Sequence, residues 1–112
     1  AIKKALGISG VYSISSTFLH RALEGEESAQ IDLVLDRNDQ VINLFEIKFY
    51  NTEWSPTESD AKALRRKMSV FQRVTNTRKR LMMTLITTFG IKHNTHSLGL
   101  VEKVLTLEDL FV

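Results

Sequence analysis

The 112-residue sequence contains no cysteine, one proline and one tryptophan. Without cysteine, a disulfide framework and a thiolate metal site are both excluded. No apolar run approaches the roughly 20 residues that a membrane-spanning helix needs. With 43% hydrophobic and 25% charged residues, the composition is typical of one globular domain over residues 1–112, and we expect a cytoplasmic location and no membrane partner.

Acidic side chains are absent from residues 61–80, although the whole chain has a net charge of only +2. This segment holds eight basic residues: Lys62, Arg65, Arg66, Lys67, Arg73, Arg78, Lys79 and Arg80. The other 92 residues therefore carry seven basic and thirteen acidic side chains, a net charge of −6. A one-sided basic helix would bind a phosphate backbone, whereas the alternative is a solubilising helix face. The charges alone do not decide between the two, but the position of this helix directly after the hairpin described next, a candidate metal site, favours nucleic acid as the partner.

The most informative stretch is 30–50, in which two apolar arms surround a polar turn. Asp32 interrupts the first arm, and Glu46 and Lys48 interrupt the second. Strand side chains alternate between the two faces of a sheet. A hairpin with residues 38–40 in its loop therefore puts Asp32 directly opposite Glu46, with both carboxylates on one face.

The same register gives the other face apolar cross-strand pairs, Ile31 with Ile47 and Leu33 with Phe45. A slip by one residue would move the two carboxylates to opposite faces, so we predict the first register. Adjacent carboxylates in an apolar setting repel each other unless a cation neutralises them, and oxygen ligands suit Mg²⁺ or Mn²⁺. Lys48 would direct a further positive charge to this place and could screen a phosphate.

Asp32, followed fourteen residues later by Glu46-Ile47-Lys48, resembles the Asp…Glu-X-Lys signature of the PD-(D/E)XK nuclease superfamily. A longer similarity covers nearly the whole chain and joins it to the C-terminal domain of certain bacterial, Bacteroides-type, AAA-family ATPases. It runs from Ile2 through Gln30-Ile-Asp-Leu, Val41-Ile-Asn-Leu-Phe-Glu-Ile-Lys-Phe-Tyr and Leu64-Arg-Arg-Lys-Met-Ser-Val-Phe to Leu107-Glu-Asp-Leu-Phe.

This resemblance implies a restriction-endonuclease-like α/β fold with an αβββαβ core, in which helices flank a mixed central sheet. It implies that Asp32, Glu46 and the backbone carbonyl of Ile47 hold Mg²⁺ or Mn²⁺, and that Lys48 positions the attacking water. Gln30 and Gln72 are the expected accessory residues. The resemblance also implies an ATPase domain in the same longer chain as a partner, with a homodimer as a further option.

The remaining pattern predicts the order of the elements. We expect the first residues to be the remainder of a longer helix that stops at Gly7. An apolar stripe at helical spacing, formed by Ala61, Leu64, Met68 and Phe71, predicts a helix that follows a Ser or Thr cap and continues to about Val74. The other predicted elements are strands at 10–18, 81–89 and 100–105, loops at 19–29, 51–56 and 91–99, and a short helix from Thr106.

A few single side chains admit two interpretations. His20 is more often a surface residue than a ligand, and His93 and His96 lie in a loop without the partners that a zinc site needs. Trp54 could stack on a nucleic-acid base, but covering the edge of the core is the favoured interpretation.

Three hypotheses follow from these residues. The leading one is a metal-dependent DNA endonuclease domain attached to an AAA-type ATPase. The second is a nuclease-like DNA-binding or regulatory module of that ATPase that cleaves nothing. The third is an interaction domain in which Asp32, Glu46 and Lys48 form a buried ion network, although such networks contribute little to stability.

Overall fold

A computed structural model of the chain describes residues 2–21, 28–92, 94–95 and 99–110. It folds them into a five-stranded sheet in the order β1-β2-β3-β4-β5, with helices on both faces. The elements are α1 (Ile2–Ala5), β1 (Ser13–His20), β2 (Ala29–Arg37), β3 (Val41–Lys48), α2 (Glu58–Thr75), β4 (Arg80–Thr87), β5 (Val101–Thr106) and α3 (Leu107–Leu110). The predicted α/β class with a mixed, helix-flanked sheet and an αβββαβ order is therefore confirmed.

The sheet is mixed, with antiparallel pairing in its first part and parallel pairing in its second. β1, β2 and β3 pair antiparallel, whereas β3, β4 and β5 pair parallel. The turn 38–40 joins β2 to β3 as predicted, and α2 is the crossover that returns the chain for the parallel pairing of β4 with β3. As a consequence, the end of β1, the start of β2 and the ends of β3 and β4 all lie at one edge of the sheet, here called the carboxyl edge.

Each face of the sheet is covered by its own apolar cluster. On one face, the predicted stripe of α2 packs through Ala61, Leu64 and Phe71 against buried residues that include Leu44 and Leu85, and Met68 packs beside them. The other face packs Leu35, Phe45, Ile86 and Leu105 with residues of α1 and α3, among them Leu110. No helix of the described part of the chain is long and apolar enough to cross a membrane.

The predicted register between β2 and β3 is confirmed where the two strands pair, because Leu33 lies opposite Phe45 and Val34 opposite Leu44. The apolar pair predicted between Ile31 and Ile47 is wrong. Ile31 belongs to the cluster on the α2 face, whereas Leu33 packs on the opposite face.

A β-bulge explains this difference. Ser16 pairs with Val34 and Phe18 with Ile31, so β1 advances two residues while β2 advances three. The extra residue lies between Ile31 and Val34, and it reverses the alternation of every residue before it in β2.

Several boundaries differ from the predicted ones by a few residues. β1 begins and ends later than predicted, and it continues through Leu19 and His20, which pairs with Ala29. α2 starts at a capping box formed by Thr57 and Asp60 and ends after Thr75, where Asn76 adopts a left-handed conformation with φ 51°. The glutamates at 24, 26 and 27, His93, His96 and Phe111 lie outside the described residues.

Candidate functional site

The centre of the candidate site is the carboxylate of Glu46, which lies between two lysines. Lys67 donates a hydrogen bond to Glu46 Oε2 at 2.9 Å, and Lys48 Nζ lies 3.4 Å from Glu46 Oε1. The Glu46 side chain is only 13% exposed, so both of its oxygens face ammonium groups in a partly desolvated place. The structure thus brings the predicted residues Glu46 and Lys48 together and adds Lys67 to them.

The fold explains why Glu46, Lys48 and Lys67 are in contact. Glu46 and Lys48 follow Leu44 at two-residue spacing along β3, so their side chains project on the α2 face at the carboxyl edge. Lys67 lies three residues after Leu64 and four before Phe71, on the flank of the buried stripe of α2. The buried Trp54 ring supports Lys48 from the other side, with 5.6 Å between Lys48 Nζ and the ring centroid.

Two clefts adjoin this group. The first, here called the Glu46 cleft, has a volume of about 160 Å³ and is lined by Glu46, Lys48, Trp54, Asp60, Ala63, Leu64 and Lys67. The second, here called the Arg66 cleft, has a volume of about 350 Å³ and is lined by Leu19, His20, Arg21, Ser28, Ala29, Gln30, Arg66 and Lys67. Lys67 lines both clefts and so joins them.

The two clefts differ in charge. Glu46 and Asp60 balance Lys48 and Lys67 in the Glu46 cleft, and Asp60 also accepts a hydrogen bond from the Thr57 backbone N–H at 2.8 Å. The described lining of the Arg66 cleft contains basic side chains and no carboxylate. An anion would therefore enter the Arg66 cleft more favourably than the Glu46 cleft.

Asp32 lies elsewhere. Ile31 and Val34 pack on the α2 face and Leu33 on the other, so Asp32 lies within the bulge, where simple alternation does not give the direction of a side chain. Asp32 is exposed and accepts a hydrogen bond from Gln30 Nε2 at 3.0 Å. No described contact joins Asp32 to Glu46, so the shared face of the two carboxylates stays a prediction.

These positions decide how well the site fits a metal ion. Asp32 accepts a hydrogen bond from Gln30, whereas Glu46 is engaged by two lysines. Within the described ranges, no group of three or more His, Asp or Glu side chains is arranged to hold an ion. As arranged, Asp32, Glu46 and the Ile47 carbonyl do not fit Mg²⁺ or Mn²⁺, which prefer several converging oxygen ligands.

The eight basic residues of 61–80 fall into two groups. Four of them pair with carboxylates: Lys62 with Glu58, Lys67 with Glu46, Lys79 with Asp36 and Arg80 with Glu102. The other four have no ion pair within the described part of the chain: Arg65, Arg66, Arg73 and Arg78. Of these four, Arg66 lines the cleft that is named after it, and Arg73 lies two helical turns further along α2.

The two predicted accessory glutamines have separate positions. Gln30 lines the Arg66 cleft. Gln72 donates a hydrogen bond to the Thr77 carbonyl at 3.1 Å and so stabilises the end of α2, away from both clefts. Sequence reasoning assigned Lys67 to nucleic acid and missed its contact with Glu46, although its spacing from Leu64 and Phe71 was the signal that could have revealed a half-buried lysine.

A second polar network lies at the opposite edge of the sheet. Arg37 pairs with Asp39 at 2.5 Å, and this hydrogen-bonded guanidinium holds the pKa of the Asp39 carboxyl below its ordinary value. Arg37 Nη1 also donates to Asn43 Oδ1 at 3.0 Å, and Asn43 Nδ2 donates to Thr84 Oγ1 at 2.9 Å. This network joins the hairpin turn to the interior of the sheet and touches neither cleft.

Comparison with known proteins identifies a similar fold, but it indicates no function, substrate or cofactor. No family profile matches the chain, and no curated protein matches its sequence. The chain is similar in structure to the crystal structure of a protein of unknown function, AF1548, with a TM-score of 0.60 over 93% of this chain and at 14% identity. The match covers 53% of AF1548, so the chain spans about half the length of that protein.

Proposed function

We propose that this domain binds nucleic acid, and that the phosphate backbone occupies the Arg66 cleft. The observation that carries the proposal is the set of cationic side chains lining that cleft, Arg21, Arg66 and Lys67, with no carboxylate among its described lining residues. Arg21 and Arg66 have no ion pair in the described structure, so their guanidinium groups are available to phosphate oxygens.

A polymer suits this arrangement better than a small anion. Lys67 joins the Arg66 cleft to the Glu46 cleft, so cationic groups follow one another along the carboxyl edge from Arg21 to Lys48. A chain of phosphates can contact such a row successively, whereas a single anion would use one position. The nucleic-acid ligand also accords with the cytoplasmic location that we propose.

The test is fluorescence anisotropy of a labelled DNA oligonucleotide, titrated with the wild type and with Arg66→Gln and Arg21→Gln variants at low salt. We expect each substitution to weaken binding about five- to tenfold, because each removes a charge-assisted phosphate contact. Arg73→Gln is the matched control, since Arg73 is an exposed arginine of the same helix that also lacks an ion pair but lies outside the cleft. Equal effects of Arg66→Gln and Arg73→Gln, or no binding by the wild type, would contradict the proposal.

A second candidate is the metal-dependent DNA endonuclease that the resemblance to the PD-(D/E)XK superfamily implies. One observation favours it: Glu46 and Lys48 lie side by side at the end of β3, in a hairpin of the predicted register. It requires Asp32 to exchange its bond with Gln30 for a position beside Glu46, and Lys67 to release the Glu46 carboxylate. The ATPase domain of the same longer chain and the homodimer belong to this candidate.

Plasmid nicking in Mg²⁺ or Mn²⁺ distinguishes the two candidates. The endonuclease predicts nicking that is lost in Asp32→Ala, Glu46→Ala and Lys48→Ala variants. The binding module predicts an intact plasmid, with oligonucleotide binding that persists in EDTA. Nicking by the Asp32→Ala variant at the wild-type rate would indicate a contaminating nuclease.

A further inference from the structure

Three large aromatic side chains are exposed at the carboxyl edge. Phe49 is 57% exposed, Tyr50 48% and Phe89 57%. Phe49 directly follows Lys48, and Lys48 pairs in register with Thr87, two residues before Phe89. The aromatic residues therefore lie on two neighbouring segments that leave the sheet at the same place.

The two segments are held together by the backbone. Trp54 N donates to the Gly90 carbonyl at 3.0 Å, and Lys92 N donates to the Trp54 carbonyl at 2.8 Å. Gly90 has φ +92°, a conformation that favours glycine, and its N–H donates to Thr87 Oγ1 at 2.6 Å. These bonds fix the turn that presents Phe89 and anchor the segment that follows Phe49 and Tyr50.

Exposed aromatic rings next to cationic side chains suit one kind of ligand. A nucleobase offers an apolar π-face to the rings, and its phosphate offers negative charge to Lys48 and Lys67. The bases of an intact duplex are stacked on each other and leave no face for a protein ring. We propose that Phe49, Tyr50 and Phe89 stack on unpaired bases, so that the ligand of this domain is single-stranded nucleic acid.

This inference rests on the proposed function, because it adds the bases to a ligand whose phosphates occupy the Arg66 cleft. A second copy of this chain could cover the same rings through apolar contact alone. Arg21 and Arg66 at the same edge favour the nucleic acid, since their cleft has no carboxylate in its described lining and two identical copies would bring these positive charges together.

The experiment compares Phe49→Ala and Phe89→Ala with the wild type in binding to a single-stranded oligonucleotide that contains 2-aminopurine. We expect each substitution to weaken binding about tenfold and to reduce the quenching of 2-aminopurine fluorescence, which reports stacking. Duplex binding should change less than twofold in both variants. Tyr12→Ala is the matched control, because Tyr12 is 70% exposed and precedes β1 at the opposite edge of the sheet.

The outcomes separate the two proposals. If the wild type binds, Arg66→Gln weakens binding and the phenylalanine variants behave like Tyr12→Ala, the stacking inference is overturned while the phosphate cleft stands. If the wild type binds neither form of DNA, the proposed function fails first. Sedimentation of the wild type as a dimer that Phe49→Ala dissociates, with unchanged DNA affinity, would assign the rings to an interface between copies and overturn the inference.

Discussion

Glu46 is the residue at which stability and binding oppose each other. Its carboxylate lies between the ammonium groups of Lys48 and Lys67, at 3.4 and 2.9 Å. Without it, two half-buried positive charges would face each other across the cleft. The same carboxylate lowers the positive potential that a phosphate would meet. The third hypothesis from the sequence was an ion network of Asp32, Glu46 and Lys48. The structure shows such a network for Glu46 and Lys48, and its third member is Lys67.

We therefore predict that Glu46→Gln has effects of opposite sign on folding and on binding. The free energy of unfolding should fall by about 1 kcal/mol, a value discounted for partial exposure, because a half-buried pair is broken. Affinity for DNA should rise several-fold, because both lysines become available. Urea titration and anisotropy measure the two effects, and Glu53→Gln controls for the loss of an exposed acidic charge in the neighbouring loop. A metal-dependent site predicts the reverse for binding in Mg²⁺.

The buried Asn43 allows a prediction about stability. Its side chain is fully buried, with 0% exposure, and it bonds to the equally buried Thr84. Asn43→Leu should lower the free energy of unfolding by about 2 kcal/mol, because it leaves the Thr84 hydroxyl without its donor. Adding Thr84→Val should recover about 1 kcal/mol of that loss, because the buried hydroxyl is then removed, while Arg37 Nη1 remains without its Asn43 acceptor. Urea titrations of the single and double variants measure this recovery. Additive losses would show that Asn43 and Thr84 have no coupling energy and would contradict the prediction.

Sequence reasoning found Glu46 and Lys48 because their charges interrupt an apolar strand, which is a strong local signal. It placed Asp32 with them by counting alternation alone. Counting fails at a bulge, since one extra residue moves a side chain to the other face. Here the bulge is visible only in the pairing of β1 with β2. Two residues of β1, from Ser16 to Phe18, span the same distance as three residues of β2. The residue type and the sequence neighbours of Asp32 do not indicate that a bulge occurs there.

At the scale of elements, α2 was predicted most completely. Its stripe, its start and its end agree with the sequence pattern to within about a residue, because helical periodicity and capping are local properties. The loops that flank the sheet were predicted less well. β1 extends to His20 because His20 pairs with Ala29 at the start of β2, and no pattern within residues 19–29 indicates that pairing.

The cap of α2 gives a prediction for that element. Thr57 Oγ1 accepts a hydrogen bond from the Asp60 backbone N–H at 3.1 Å, and Asp60 accepts one in return from Thr57. Thr57→Ala should lower the free energy of unfolding by about 1 kcal/mol, because one N–H of the first turn loses its acceptor. Ser55→Ala, at an exposed position just before the cap, should change it by less than about 0.5 kcal/mol. Equal losses in urea titrations would mean that the cap contributes nothing.

At the scale of the whole molecule, the topology collects the binding features at one edge. Arg21 follows the end of β1, Lys48 is the last residue of β3, and the middle of α2 contributes Arg66 and Lys67. The basic segment 61–80 was predicted as one nucleic-acid-binding surface from its charge alone. Folding divides it, because three of its eight basic side chains pair with carboxylates of other strands, and a fourth, Lys62, pairs with Glu58 one turn earlier in α2. The three pairs with strand residues depend on tertiary contacts and cannot be inferred from a count of charges.

This division predicts the salt dependence of binding. If the ligand follows the row from Arg21 to Lys48, about three or four phosphates are neutralised, and a plot of log K against log salt concentration for single-stranded DNA should have a slope of about −2 to −3. If the entire basic segment were engaged instead, eight contacts would give a slope of about −6. Anisotropy titrations across a range of KCl concentrations measure the slope, and the Arg66→Gln variant should reduce its magnitude by about 0.7. A slope near −6 in the wild type would mean that the ion pairs open on binding, and that the exposed face of α2, not the cleft, is the surface that meets DNA.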